Sequence, residues 1–159
     1  LASGAVFACA VLTSTGIAPQ GLFAFAAIVL LVAWRVKRSY WQYIDTTQHA
    51  ATPASATGLT GASVKLLEGP HTEENYLQQE MGFKVARKHA AKLRKIVHIA
   101  TFAVPLVLMI VAYLSGGFAA ASASILAAMS ISLGLITERW LFFAEARHVV
   151  TLYYGAQAA

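Results

Sequence analysis

Two long stretches of this sequence carry no charge at all. Residues 1–34 contain no Lys, Arg, Asp or Glu, and neither do residues 96–137. Of the twelve Lys and Arg residues, ten lie between Arg35 and Lys95, together with five of the seven acids. A chain folding in water needs a polar surface, and ionisable residues usually supply about 25% of a soluble domain. Here they make up 12% against 58% hydrophobic residues. The solvent for the two apolar blocks is therefore expected to be lipid. Lipid restricts a spanning segment to structures that satisfy every backbone N–H and C=O internally, which for blocks of this length means α-helix.

The blocks divide into four spans. Residues 1–16 form a first apolar segment, short for a bilayer crossing of about 20 residues. A longer chain is expected to precede it, because the sequence begins inside the segment with Leu1 and no basic flank. Gly16, Ala18 and Pro19 mark a turn, with Pro19 suited to the first turn of the next helix. The second span covers 19–38 and ends in Trp34, Arg35, Lys37 and Arg38, with Tyr40, Trp41 and Tyr43 close behind. Aromatic rings beside cations are the pattern of a helix leaving the membrane on its cytoplasmic side. The third span covers 96–115, with Pro105 expected to kink it. Gly116-Gly117 makes a tight turn into an Ala- and Ser-rich fourth span, whose small residues permit close helix approach. The expected fold is an all-α integral membrane protein. A transmembrane hairpin at 1–38 and a second, at 96–159, with an interfacial C-terminal extension are joined by a basic extramembrane loop at 39–95.

Within that loop residues 46–63 are rich in Thr, Ala, Ser and Gly and read as a connector. From Thr72 to Lys95 the pattern is helical. Thr72 can cap, Glu73 and Glu74 open the helix, and Lys84, Arg87, Lys88, Lys92, Arg94 and Lys95 follow, an order that complements the helix dipole. Leu77, Met81, Val85 and Leu93 form one narrow apolar stripe. Such a stripe fits either the chain's own membrane domain or a partner subunit. The formal net charge of +5 sits beside apolar spans. It is expected to meet anionic lipid, with no nucleic-acid partner.

Chemistry is concentrated in few places. The lone Cys9 lies inside an apolar span and can support neither an internal disulfide nor an iron–sulfur cluster, so no metal is expected in this chain. No dinucleotide, phosphate-loop, HExxH or nucleophile-elbow pattern is present. Outside the loop, the densest run is Glu138 to His148. On a helix Glu138, Phe142 and Glu145 share a face, and Glu145 reaches His148 at a spacing of three. Glu138, Arg139, Glu145 and His148 are candidate contacts for a quinol at the membrane surface; as an alternative they form an interfacial anchor. His98 opens the third span at the same membrane face as His148, and two imidazoles at one depth can ligate a haem iron.

Several segments are also familiar together. Arg38 to Asp45 (RSYWQYID), Ala56 to Leu59 (ATGL), Lys65 to Gly82 (KLLEGPHTEENYLQQEMG) and Glu138 to Tyr154 (ERWLFFAEARHVVTLYY) resemble the membrane anchor subunits of dimethyl sulfoxide reductase-type complexes. Those anchors have twice as many helices, so the resemblance implies the C-terminal half of one. It implies a role in a bacterial cytoplasmic (inner) membrane as a multi-pass anchor. The anchor holds a molybdopterin catalytic subunit and an iron–sulfur subunit on the bilayer and oxidises menaquinol, with electrons passing to the iron–sulfur subunit. The family's quinol-site residues belong to the other half, so none is carried over to Glu138, Arg139, Glu145 or His148. The rival expectations are a haem b cytochrome anchor and half of a transporter. The charge-free span interiors speak against the transporter.

Overall fold

The charge-free blocks become helices in the computed structural model, which describes residues 1–17, 19–47, 52–59, 64, 67–68, 84–146 and 152. Helix α1 spans Ala2–Ser14, α2 Gln20–Thr46, and the short α3 Pro53–Thr57. A single turn, α4, covers Lys84–Lys88. Helix α5 runs Ala90–Leu114 and α6 Gly117–Glu145. Among the described residues no strand occurs. Three of these helices, α2, α5 and α6, are long and apolar enough to cross a membrane, with 27, 25 and 29 residues. At 1.5 Å per residue each is about 38–44 Å long, more than the roughly 30 Å of bilayer hydrocarbon, so each has a turn or two to spare beyond it. Helix α1 is apolar but has only 13 residues.

The outward faces confirm which solvent these helices suit. Ile28, Val32, Leu133 and Ile136 are more than half exposed, with neighbouring Leu31 and Phe25 close to half. In water so much contiguous apolar surface is an association liability; in lipid it costs nothing. The inward faces meet in one core. Val6 and Cys9 of α1, Phe23, Ala26 and Leu30 of α2, Met109 and Ala112 of α5, and Ala120, Ala127 and Ile131 of α6 are all nearly inaccessible. Helix α6 contributes mainly Ala, Ser and Gly at helical spacing. Those small side chains let α1 and α5 lie close against it.

Local chemistry sets the boundaries. Helix α1 ends in a complete Schellman motif: Ile17 N–H donates to Leu12 O at 3.1 Å and Gly16 N–H to Thr13 O at 3.1 Å. Gly16 takes φ +82°, where only glycine is unstrained. Pro19 occupies the N-cap of α2, one position before the first turn that its sequence context favours. Helix α2 runs on through Tyr40, Trp41 and Tyr43 to Thr46, eight residues past the point where the span itself was expected to close. The Thr- and Ala-rich connector contains α3, held by a reciprocal capping box between Thr52 and Ser55 and closed by Gly58 at φ +72°.

Pro105 disturbs α5 through a π-helical turn over Ile99–Ala103. Val104 N–H donates to Ile99 O, five residues back. That leaves Ala100 O with neither usual donor: its i+4 partner is Val104, already engaged, and its i+5 partner is Pro105, which has no N–H. The hydroxyl of Ser130 on α6 fills the gap, donating to Ala100 O at 2.8 Å. Beside it, Gly134 admits the π turn so closely that a Cβ there would stand 2.7 Å from Thr101 N. Ser130 and Gly134 thus form a seat on α6 cut to the irregular turn of α5.

Candidate functional site at the charged end of the bundle

The end of α2, the start of α5 and the end of α6 converge, and ion pairs join them. Lys37 donates to Glu138 Oε1 at 2.6 Å, tying α2 to α6, with the two side chains 18% and 12% exposed. Arg94 of α5 binds two carboxylates at once: Asp45 of α2 at 2.8 Å and Glu145 of α6 at 3.0 Å. Between these pairs stands Trp41, buried on α2. Lys37 Nζ lies 4.9 Å from its ring centroid on one side and the Arg94 guanidinium 5.3 Å away. The imidazole of His98 meets Trp41 edge-on, with centroids 4.8 Å apart. Charges at membrane depth are costly unless paired, and this arrangement pairs them while one aromatic ring shields both cations.

Arg87 finishes the collar. Its Nε donates to Ala144 O at 3.0 Å and Nη2 to Ala146 O at 2.9 Å. These carbonyls end α6 and have no donors within the helix, so a cation there satisfies them and complements the dipole. The α4 turn and the start of α5 are therefore fastened to the end of α6 by Arg87 and Arg94.

Two grooves open beside this collar. The wider, of about 570 Å³, lies among α1, α2, α5 and α6 and carries Lys37, Tyr40, Glu138 and Arg139 at its polar end and Phe102 and Leu135 deeper in. The narrower, of about 260 Å³, lies between α2 and α5 and is walled by Leu30, Leu31, Trp34, His98, Phe102 and Leu106. Phe102 borders both. Two buried polar atoms near them have no hydrogen-bond partner among the described residues: His98 Nδ1 and Thr101 Oγ1.

The residues singled out from sequence separate into different roles. Glu138 and Arg139 reach the wide groove. Glu145 is held in the Arg94 clamp. His148 lies outside the described residues, so the pairing of His98 with His148 does too. Metal-ligating histidines almost always donate their other N–H to an oxygen acceptor; among the described residues His98 Nδ1 has no such partner. The expected helix from Thr72 is described only from Lys84 on. Of its apolar stripe, Leu77 and Met81 lie outside the described residues, and Leu93 is part-buried at the start of α5. Sequence reasoning missed Lys37, Arg94 and Trp41 as partners of this site. Their acids lie 49 to 101 positions away along the chain. The available signal was charge balance: Glu138 and Glu145, seven residues apart on one helix face, share that helix with a single cation, Arg139, so at least one needs a cation from another element.

Comparison with known proteins gives an informative likeness. A subunit of the sulfite dehydrogenase of Allochromatium vinosum is 29% identical to this chain over 134 residues, which cover 84% of the chain and 40% of that protein. The chain is thus similar to a dehydrogenase subunit. It spans well under half of that relative's length. No family model matches the chain, and no solved structure matches it. Three apolar helices of spanning length support a multi-pass membrane protein.

Proposed function

We propose that this chain is part of the membrane subunit of a multi-subunit molybdenum and iron–sulfur oxidoreductase, anchoring its catalytic partners on the bacterial cytoplasmic membrane and exchanging electrons with the quinone pool. The observation that carries the reading is the likeness to the sulfite dehydrogenase subunit over 84% of the chain, on a fold whose helices suit a bilayer. The likeness to dimethyl sulfoxide reductase-type anchors in the loop and tail points the same way. In this reading α1 crosses the membrane with α2 as one hairpin, and α5 with α6 as the other. The charged collar faces the cytoplasm, following the excess of Lys and Arg.

The chemistry asked of such a subunit is modest. A quinol gives up two electrons and two protons to become a quinone; the electrons pass to the partner's iron–sulfur clusters and the protons leave through polar groups at the membrane surface. Glu138, at the polar end of the wide groove, is the group proposed for that exit, with Arg139 beside it as a fixed cation and a contact for a quinol oxygen. His148 remains a proposed contact, while Glu145 belongs to the clamp that positions α5 against α6. Sulfite dehydrogenase, by its name, withdraws electrons from its substrate, which favours a second direction: the same groups taking up protons as a quinone is reduced. The partner's substrate decides between them.

The test is isolation of the full-length protein from detergent-solubilised native membranes, with metal analysis and a visible spectrum. Molybdenum and iron co-purifying without a Soret band are expected. A Soret band that follows this chain replaces the reading with a haem anchor. Absence of any metalloprotein partner overturns it.

A further inference from the structure

From the narrow groove between α2 and α5 we infer that it is a binding site for the ring of a quinone or quinol, held by His98 between Trp34 and Phe102. The inference rests on the proposed exchange with the quinone pool and names where the ring sits. Four observations point to that ligand. First, the depth is right: the groove lies just inside the collar formed by Arg35, Lys37 and Arg38 on α2 and by Arg94 and Lys95 on α5. It therefore sits at the boundary where a lipid with a polar ring and an apolar tail comes to rest. Second, among the described residues its walls carry no Lys, Arg or hydroxyl, and their polar groups are the imidazole of His98 and the indole of Trp34, a lining suited to a neutral ring with a polar oxygen rather than to a multiply charged phosphate. Third, the volume of about 260 Å³ is below the roughly 300–1,000 Å³ of pockets that enclose drug-sized molecules. It suits a quinone head group alone, while exposed Leu31 and Ile99 mark the side open to the bilayer for a tail.

The fourth observation is the imidazole. Neutral imidazole has one donor and one acceptor nitrogen. An unpaired N–H is the costlier orphan in a buried site, so Nδ1, which has no partner among the described residues, is best left bare. The proton then sits on Nε2, and the proposal assigns that N–H to a ligand oxygen. A quinone carbonyl accepts from it directly, and a quinol hydroxyl does so through its lone pair. Trp34 and Phe102 supply faces or edges to the ring, a contact that favours an aromatic group over an acyl chain. Phe102 also borders the wide groove, which carries Glu138 in its lining.

The intact complex, purified with its partner subunits and reconstituted in nanodiscs, tests this with a photoreactive menaquinone analogue and a menaquinol turnover assay. The expected result is cross-linking to the peptides containing Trp34 and Phe102, and an apparent KM for menaquinol raised about tenfold in His98→Leu. His98→Gln, which keeps a donor, is expected to recover most of that loss. Leu31→Trp leaves His98 untouched but fills the groove, and is expected to abolish the cross-link while the partners still co-purify. If the wild-type complex turns over menaquinol but labels elsewhere and tolerates both His98→Leu and Leu31→Trp, the ring site is wrong and the proposed function stands. If the cross-link is displaced equally by phospholipid, the groove is an ordinary acyl-chain furrow and the inference fails. If the wild-type complex exchanges no electrons with menaquinol, the reading beneath the inference fails with it.

Discussion

Arg94 is the side chain on which the charged end depends most. It holds Asp45 and Glu145 in one planar fork and lies against Trp41. Arg94→Ala is expected to leave the Glu145 carboxylate, 24% exposed, without its cation, and to cost about 1–3 kcal/mol. Lysine carries the charge but not the fork, so Arg94→Lys should recover less than half of that in detergent-unfolding measurements. An Arg94→Ala protein that unfolds like wild type would show that lipid headgroups already screen the pair. Glu138 makes the complementary case. In the proposed proton exit, Glu138→Gln keeps the shape of the groove but removes the titrating group, and menaquinol turnover should fall by about 10²-fold while the partners remain bound. Unchanged turnover would leave Glu138 as the structural partner of Lys37. The sequence disclosed both carboxylates as unusual, because they interrupt an apolar helix. It could not disclose their partners: an ion pair between elements leaves no periodic mark on either one.

The π turn in α5 and its seat on α6 carry the next set of expectations. Ser130→Ala orphans the Ala100 carbonyl in the low-dielectric core, and hydrogen bonds between membrane helices are worth about 0.6–1.7 kcal/mol. Pro105→Ala restores an N–H that can reach Ala100 O, so the Ser130 loss should shrink in that background. A double-mutant cycle measures the coupling, and strict additivity would contradict the account of who satisfies Ala100. Gly134→Ala is expected to cost about 1–3 kcal/mol, since the new Cβ meets Thr101 backbone and side chain. Helices were the most legible part of the sequence: charge-free runs of spanning length, aromatic and cationic ends, and glycines at Gly16 and Gly117 where φ is positive. Pro105 promised a disturbance, but its form depended on Ser130 and Gly134 of another helix, which no local pattern joins to it. The loop's connector hides a capping box, and α2 continues past its cations because nothing between Ser39 and Thr46 stops a helix.

The bundle as a whole is polarised. Every ion pair of the described residues lies at one end, where α2 leaves, α5 enters and α6 finishes. The other end holds the tight turns at Gly16 and at Gly116-Gly117. The proposed topology places those turns on one side of the membrane and Thr47 on the other. Cysteines introduced at Thr15, Thr47 and Ser115 and probed in intact cells with a membrane-impermeant maleimide should label at 15 and 115 only; the native Cys9 is buried and gives little background. Labelling at 47 alone would invert the protein, and labelling at 47 together with 15 would mean that α1 does not cross. The polarity also sets where partners can act. In the proposed function, electrons enter or leave at the collar, next to both grooves, and the basic side chains Arg87 and Arg94 stand at that same end. The most direct measurement is therefore electron exchange between menaquinol and the iron–sulfur clusters of the purified complex, followed optically with and without the full-length membrane subunit. Rapid exchange only when the subunit is present is the expected result; equal rates in its absence would contradict a role for this chain in joining the complex to the quinone pool.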